Sequence, residues 1–277
     1  MKLTLHAGAG KTGSTAIQDF LSRNHDNLKK QGVLYPNPKV GVITSGNGAL
    51  ISTNLRASND LKARRFIEVQ VKKAQDLGLK HIVLSSESFS GLNKSCLKTL
   101  KSLVDDNFSD INCVIYVRNP FDWTYSAWMQ HLKRHLVTVP FDSYYPKLAR
   151  KHLQSVCRFL DIFSDSKVIS YDANKRNLIE NFLQYANIAS EGLNFTASHS
   201  VVNRSLTEKE IEFMLDVNKL ITSPKLGAKI SDFLIQTYPA SETSACIDEK
   251  IRQDIFNVNE SELLIINRII QAGEKIC

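Results

Sequence analysis

The first twenty residues constrain the fold of this chain more than any other segment. Residues 3–6 (LTLH) predict a short buried strand, and residues 16–21 (AIQDFL) have the apolar spacing of a helix. Between them lies a turn that contains Gly8, Gly10, Lys11 and Gly13. Glycine lets the backbone turn tightly and approach a ligand, and the unpaired N–H groups at a helix N-terminus attract anions. The segment therefore predicts a strand, a phosphate- or sulfate-binding turn and a helix.

Two common phosphate-binding loops match this turn incompletely. A Walker loop needs a glycine five positions before its Gly-Lys pair, but Leu5 stands there if the pair is Gly10-Lys11. This mismatch weakens a kinase or NTPase interpretation. Gly8, Gly10 and Gly13 do form the G-x-G-x-x-G pattern of a dinucleotide loop, yet residues 32–38 (GVLYPNP) lack the acid that this fold places about 20 residues on. The match to a dinucleotide loop is thus only partial, and an NAD(P)-dependent oxidoreductase stays as an alternative function.

Four apolar runs predict buried parallel strands, at residues 2–6, 81–86, 111–118 and 167–171. A helical pattern follows each run, so we expect a parallel sheet with right-handed crossovers and helices on its faces. Ligands bind beyond the carboxyl ends of such strands. Because residues 8–15, residues 85–88 and Arg118 all lie at or just beyond these carboxyl ends, we expect them to meet in one crevice.

The chain is mostly helical after residue 172. The periodicity predicts helices over residues 174–188, 207–221, 227–238 and 260–273. Thr207 and Glu210 have the spacing of a capping box at the start of the second of these.

Three motifs resemble those of sulfotransferases that use 3′-phosphoadenosine 5′-phosphosulfate (PAPS). Residues 11–15 (KTGST), at the end of the first strand, resemble the 5′-phosphosulfate loop of that family. The family places an arginine at a later strand end and a serine eight positions on, both on the 3′-phosphate, and Arg118 and Ser126 match this spacing. Ser86-Glu87 is similar to a Ser-Glu pair of the bacterial, carbohydrate-type branch. The resemblance covers residues 1 to about 220.

This resemblance implies a P-loop-like three-layer α/β fold with a helical C-terminal portion. It implies transfer of a sulfuryl group from PAPS to a hydroxyl or amine, leaving adenosine 3′,5′-bisphosphate (PAP). A saccharide is the first expectation for the acceptor, and a lipid or small metabolite is the second. The cofactor-binding residues expected are Gly10, Lys11, Thr12, Gly13, Ser14, Thr15, Arg118, Ser126 and Arg204.

Two side chains are candidate catalytic groups. By similarity, Lys11 lies near the 5′-phosphate and the transferring sulfate, where a compact cation neutralises developing charge. Glu87 is our candidate general base, because it follows a strand at the crevice edge. His6, His131 and His135 are the alternatives. The last two are spaced i, i+4, but they lack a third ligand, so we expect no metal site.

Composition sets the remaining expectations. A chain of 277 residues with 43% hydrophobic content and no linker-like tract fits a single domain over residues 1–277. The formal charge of +7 suits an anionic ligand, and the basic residues between 62 and 73 are expected to form a solvated helix face rather than a nucleic-acid site. Five cysteines without C-x-x-C spacing favour a reducing compartment.

The N-terminus and the loops add three more expectations. The chain enters the glycine turn at once and has no apolar run near the ~18 residues of a membrane span, so we expect a bacterial cytoplasmic protein. Residues 36–60 are expected to form a mobile loop at the crevice mouth. A non-catalytic nucleotide-binding module is a further alternative function.

Overall fold

The computed structural model describes residues 1–37, 45–196, 204–238, 248–270 and 274–276. Its centre is a five-stranded parallel sheet in the order β2-β3-β1-β4-β5. The strands are β1 (Lys2–Ala7), β2 (Val33–Leu34), β3 (His81–Ser86), β4 (Asp110–Val117) and β5 (Lys167–Ser170). The four predicted strands are thus confirmed to within one residue at each end, and β2 is an additional short edge strand.

The strand order distinguishes this sheet from a dinucleotide-binding fold. Here β1 lies between β3 and β4, with Leu5 opposite both Leu84 and Cys113. In the dinucleotide-binding order 3-2-1-4-5-6, the second strand lies directly beside the first. In this chain β3 separates β2 from β1, so the arrangement differs from that fold.

Fourteen α-helices lie in the described ranges, together with a 3₁₀ turn at Tyr145–Lys147. The helices are α1 (Ser14–Arg23), α2 (His25–Lys30), α3 (Ala49–Arg56), α4 (Asp60–Asp76), α5 (Lys94–Asn107), α6 (Pro120–Arg134), α7 (Phe141–Tyr144), α8 (Lys151–Leu160), α9 (Tyr171–Asn174), α10 (Leu178–Ala186), α11 (Glu208–Leu220), α12 (Pro224–Thr237), α13 (Glu249–Asn257) and α14 (Glu260–Ile269).

Both faces of the sheet are buried, which explains why its strands are continuously apolar. Leu5 and Ile115 pack on one face in a core shared with α4 and α5. Val114 and Tyr116 pack on the other face with Ile17 of α1 and with α10. Helices therefore cover the two sides of a central sheet, and the expected three-layer α/β fold is confirmed.

The chain divides into two compact units. The first comprises Met1–Arg118, Leu153–Thr196 and Glu262–Cys277 and contains the sheet. The second comprises Asn119–His152 and Ala197–Ser261. It consists of helices around its own core, which includes Trp128, Leu132 and Met214. The organisation as a single domain stays a prediction.

The helix predictions for the C-terminal part have mixed outcomes. Residues 207–221 and 227–238 correspond to α11 and α12, and the capping box of Thr207 and Glu210 is present. Residues 174–188 contain a break, since α9 ends at Asn174 and α10 begins at Leu178. The helix expected over residues 260–273 is α14, and residues 271–273 lie outside the described residues.

We predicted a mobile loop over residues 36–60, and this prediction is wrong for most of the residues in that range that the structure describes. Asn47 Oδ1 accepts a hydrogen bond from Ser85 N at 2.7 Å, and Gly48 N donates to Ser85 O at 2.9 Å. Helix α3 follows at once. These polar groups pair with the part of β3 that β2 leaves unpaired, because β2 pairs only with His81 and Ile82. Residues 38–44 lie outside the described residues.

Three further expectations concern the basic face of α4, the cysteines and membrane-spanning helices. Lys62, Arg65, Lys72 and Lys73 are exposed on α4, as expected for a solvated helix face, whereas Arg64 is half-buried and pairs with Asp106. Cys96, Cys113 and Cys157 are free thiols, and Cys246 and Cys277 lie outside the described residues. In the ranges given above, no helix has both the length and the apolar character needed to cross a membrane.

Candidate anion-binding site at the carboxyl edge of the sheet

The loop between β1 and α1 is tightly curled. Gly8 N donates to Ser86 O at 3.1 Å, which fixes the start of the loop to the end of β3. Lys11 and Gly13 then adopt left-handed conformations, with φ of 70° and 79°. For an L-residue such as Lys11 this conformation costs roughly 1–2 kcal/mol. The hydroxyl of Thr12, which is fully buried, donates to Ala9 O and stabilises the turn.

The three glycines of the loop have different structural roles. A Cβ on Gly8 would overlap Ser14 Oγ. A Cβ on Gly13 would overlap Leu178 and lie 3.0 Å from the ring of Tyr171. Gly10 has more room, since its nearest neighbour would be Glu87 Oε2 at 3.8 Å. Packing thus requires Gly8 and Gly13, while Gly10 brings the backbone beside the Glu87 carboxyl group.

The N-terminus of α1 carries the features of an anion site. Its N-cap is Gly13, so no side chain caps it, and its first turn contains no acidic residue. Ser14 is only 1% exposed. Its Oγ has no hydrogen-bond partner within the described ranges, and a buried hydroxyl without a partner costs about 1–3 kcal/mol. An oxyanion bound here would accept from Ser14 and from the helix N–H groups together.

Glu87 lies against this loop. Burial raises the pKa of its carboxyl group, while the Lys11 charge and a hydrogen bond from Thr15 act in the opposite direction. The backbone of Glu87 is held by its N–H, which donates to Ser45 O at 3.3 Å. The structure therefore brings together Lys11, Thr15 and Glu87, as the convergence of the strand ends predicted.

Arg118 supports the loop from the end of β4. Its Nη1 donates to Lys11 O at 3.2 Å, and its Nε lies 3.8 Å from Asp172 Oδ1. The guanidinium also lies over the Tyr171 ring, 5.4 Å from the centroid. Tyr171 and Asp172 were not among the predicted site residues. The signal was available, because both follow β5 and therefore lie at the same edge of the sheet.

His6 is enclosed behind the loop. Its Nδ1 lies 2.8 Å from Ser85 Oγ, to which Gln18 Nε2 also donates at 3.1 Å. The ring packs against Tyr116 and Phe182. Burial lowers the pKa of His6 to about 4, so the ring is neutral near pH 7. These contacts agree with a structural role in the strand.

Two of the expected cofactor contacts lie in the second unit. Ser126 is half-buried on α6, a helix that Asn119 caps by accepting from Phe121 N at 2.9 Å. The assignment of Ser126 to a 3′-phosphate stays a prediction.

Every N–H donor of the Arg204 guanidinium has a hydrogen-bond acceptor within the second unit. Its guanidinium makes two 2.7 Å hydrogen bonds to the Glu210 carboxylate and also donates to the carbonyls of Ser205, Leu234 and Tyr238. These bonds use all five of its N–H donors. The side chain is only 8% exposed, and its donors are used within the second unit rather than left for the cofactor that the sequence predicted.

The remaining histidine candidates also lie in the second unit. His131 Nδ1 is 3.1 Å from the Tyr144 hydroxyl, and the rings of His131 and His135 are 5.3 Å apart. In the portion of the chain that the structure describes, no three His, Cys, Asp or Glu side chains form a group able to hold a metal ion.

No protein-family model and no curated protein matches the sequence. Sulfotransferases are among the solved structures with a similar arrangement. The sulfotransferase of Alicyclobacillus acidocaldarius is 16% identical, with 83% of this chain and 94% of that chain covered and a TM-score of 0.45. The sulfotransferase domain of the curacin biosynthetic pathway is 13% identical, with 94% and 97% covered and a TM-score of 0.43.

A third similar structure is retinol dehydratase in complex with androsterone and the inactive cofactor PAP. It is 12% identical, with 95% of this chain and 80% of that chain covered and a TM-score of 0.38. These similarities are too distant to assign an activity.

Proposed function

We propose that this chain transfers a sulfuryl group from PAPS to a hydroxyl or amine, with a saccharide as the first acceptor to test. One observation carries the proposal. The buried Ser14 hydroxyl, without a partner in the described ranges, lies at the uncapped N-terminus of α1 in the loop that also holds Lys11. A hydroxyl donor, helix N–H groups and one flexible cation together suit a phosphosulfate group.

The residues present fit such a donor at its 5′ end. Ser14, Thr15 and the N–H groups of the loop would hold the phosphosulfate, with Lys11 beside it. Bound there, PAPS supplies an activated sulfuryl group on a phosphate leaving group. We assign Arg118 and Ser126 to the 3′-phosphate on the spacing of the motif. Arg204 is not part of the proposed site, because its donors are all used within the second unit.

Lys11 has an electrostatic role in this proposal. As the bond between sulfur and the bridging oxygen breaks, negative charge grows on that oxygen, as in phosphoryl transfer. The Lys11 ammonium group neutralises this charge. Its backbone is held in the left-handed conformation, and Arg118 donates to its carbonyl oxygen, so the loop is ordered at the base of the side chain.

Glu87 has the role of general base. It takes the proton from the acceptor hydroxyl or amine as that group attacks sulfur. A base works best when its pKa lies close to the operating pH, and burial moves the pKa of Glu87 upward. Negative charge on a neighbouring nucleotide raises it further. Lys11 and the hydrogen bond from Thr15 act against this rise, because both favour the ionised carboxylate, which is the form that accepts a proton.

Calorimetric titration of the purified full chain with nucleotides tests the proposal. We expect PAP to bind more tightly than AMP, NAD or ATP, with no requirement for magnesium. Tighter binding of NAD would support the oxidoreductase alternative, although the strand order argues against it. Magnesium-dependent preference for ATP would support a kinase.

A second assay separates catalysis from binding. The chain is incubated with labelled PAPS and a panel of saccharides, hydroxylated lipids and small amines, and label transfer is followed. We expect transfer to at least one acceptor that depends on Lys11 and Glu87. PAP binding without consumption of PAPS across the panel would instead indicate a nucleotide-binding module.

A further inference from the structure

Residues 274–276 lie against the first unit and are anchored on α14. Asn267 Nδ2 donates to Ile276 O at 3.1 Å, and Ile276 N donates to Asn267 Oδ1 at 3.0 Å. Ile276 is only 6% exposed and belongs to the same core as Val168 of β5. Hydrogen bonds and burial therefore fix this segment close to the last strand of the sheet.

Glu274 connects the anchored segment to the end of β5. Its Oε2 accepts a hydrogen bond from Ser170 N at 3.3 Å. Ser170 is the last residue of β5, which is an edge strand, and it is only 3% exposed. A buried backbone N–H needs an acceptor. The carboxylate of Glu274 supplies this acceptor where no further strand follows β5 in the described sheet.

Ser170 in turn fixes the short helix α9. Its Oγ caps the helix by accepting from Ala173 N at 3.3 Å, and its carbonyl oxygen accepts from Asn174 Nδ2 at 2.9 Å. The first two residues of α9 are Tyr171 and Asp172. Their placement at the carboxyl edge of the sheet therefore depends on how the backbone of Ser170 is held.

Both of these residues contact Arg118. The guanidinium lies 5.4 Å from the centroid of the Tyr171 ring, and Nε lies 3.8 Å from Asp172 Oδ1. Arg118 Nη1 meanwhile donates to Lys11 O at 3.2 Å. A long side chain that is already ordered loses less rotamer entropy when it binds a ligand. The start of α9 thus orders the Arg118 side chain before any anion arrives.

We propose that Glu274 is a positioning residue for Arg118. By accepting from Ser170 N, Glu274 fixes the start of α9 and with it the ring and the carboxylate that direct the guanidinium. Glu274 acts through this geometry and not by contact with a nucleotide. The effect on nucleotide affinity rests on the proposed function, in which Arg118 contacts the 3′-phosphate.

A measurement without nucleotide tests the positioning itself. In the isotope-labelled full chain, the side-chain Nε resonance of Arg118 is identified by its loss in Arg118→Ala. We expect Glu274→Ala to shift this resonance, because α9 loses a contact at its start. Glu274→Gln keeps a carbonyl oxygen that accepts the same hydrogen bond, so it should preserve the resonance. Glu180→Ala, at an exposed position on α10, removes the same charge and should also preserve it.

Calorimetry with PAP and AMP measures the consequence for binding. Glu274→Ala should bind PAP about fivefold more weakly, as expected for the loss of one hydrogen bond. Its affinity for AMP, which lacks the 3′-phosphate, should not change. Glu274→Gln should keep the PAP affinity within about twofold. In an Arg118→Ala background, Glu274→Ala should have no further effect, because a residue that acts through Arg118 is fully coupled to it.

Failure of the positioning role is distinguishable from failure of the proposed function. A resonance shift in Glu274→Ala, in a chain that does not bind PAP, would refute the function and leave the positioning role. PAP binding with an unmoved resonance and unchanged affinity in Glu274→Ala would refute the positioning role alone. Equal losses for PAP and AMP, or a loss that persists without the Arg118 side chain, would show that Glu274 only stabilises the fold. Equal effects of Glu274→Gln and Glu274→Ala would assign the effect to charge and also refute positioning.

Discussion

Each unit of this protein contains a cation beside a glutamate, and the two pairs behave in opposite ways. In the second unit Arg204 and Glu210 share two 2.7 Å hydrogen bonds, and Arg204 lowers the pKa of Glu210. In the first unit Lys11 lies beside Glu87, but burial dominates and raises the pKa of Glu87. One pair favours the charged carboxylate, and the other carboxyl group is poised to take up a proton.

The polar atoms around the two pairs show the same contrast. Every N–H of Arg204 has an acceptor, and Glu210 also completes the cap of α11. Near Lys11, the buried Ser14 Oγ has no partner within the described ranges, and the helix N-terminus has no side-chain cap. A saturated network stabilises a fold, whereas an unsaturated one is suited to a ligand.

The largest expected effect is that of Glu87→Gln on turnover. The variant keeps the size of the side chain but cannot accept a proton, so we expect sulfuryl transfer to fall about 10²- to 10⁴-fold with PAP affinity retained. In the unmodified chain, the rate should rise with pH through an apparent pKa above the usual ~4.3 of glutamate.

Glu210→Gln is the matched control for this experiment. It makes the same chemical change in the saturated pair, so turnover per folded molecule should remain near that of the unmodified chain. An unchanged rate for Glu87→Gln, with a large loss in a His6, His131 or His135 variant, would move the base to that histidine.

Lys11→Ala should have the second largest effect. Loss of a preorganised donor to developing charge reduces turnover about 10²- to 10³-fold, measured at saturating PAPS. Because the substitution leaves the residue left-handed, Lys11→Gly serves as a control that removes the charge and relieves the strain. Near-normal turnover of either variant would contradict the role of Lys11.

The contrast between the two units also predicts opposite effects on stability. Glu210→Gln should lower the free energy of unfolding by about 2 kcal/mol at neutral pH, since it removes charge-assisted bonds from a buried pair. Because the folded pKa of Glu210 is lowered, this difference is complete above the unfolded pKa of ~4.3 and shrinks as pH falls through the folded pKa.

Glu87→Gln should change stability in the opposite direction. The folded pKa of Glu87 is raised, so its contribution to stability is complete below ~4.3 and is lost as pH rises through the folded pKa. The variant should therefore gain stability relative to the unmodified chain at neutral pH. Urea denaturation across pH measures both differences, and changes of the same sign would refute the contrast.

The sequence predicted the sheet better than its surroundings. Apolar runs identified β1, β3, β4 and β5, and because the ends of parallel strands share an edge, the proximity of Lys11 and Glu87 followed. Strand β2 was missed because two residues form no pattern. The segment around Gly46 and Asn47 was misread because its hydrogen bonds go to β3, far away in sequence.

The sequence also could not predict which polar atoms of a site have hydrogen-bond partners and which have none. The spacing of Thr207 and Glu210 predicted the capping box, but the same pattern gives no sign that Arg204 also binds Glu210. Likewise, the motif at residues 11–15 indicated an anion site, but the burial of Ser14 depends on packing against Gly8. Such properties arise from tertiary contacts rather than from local pattern.

Ser14→Ala is the most direct test of the central claim, which is that the loop between β1 and α1 binds an anion. We expect the affinity for PAP to fall about tenfold while the fold is kept. Because Ser14 Oγ has no partner in the described part of the chain, its removal should leave the free energy of unfolding without nucleotide unchanged or slightly higher. The same variant should bind PAP about tenfold more weakly in calorimetry, since one donor to the phosphate is lost. Reduced stability together with unchanged PAP affinity would show that the hydroxyl is structural and would contradict an anion site at this loop.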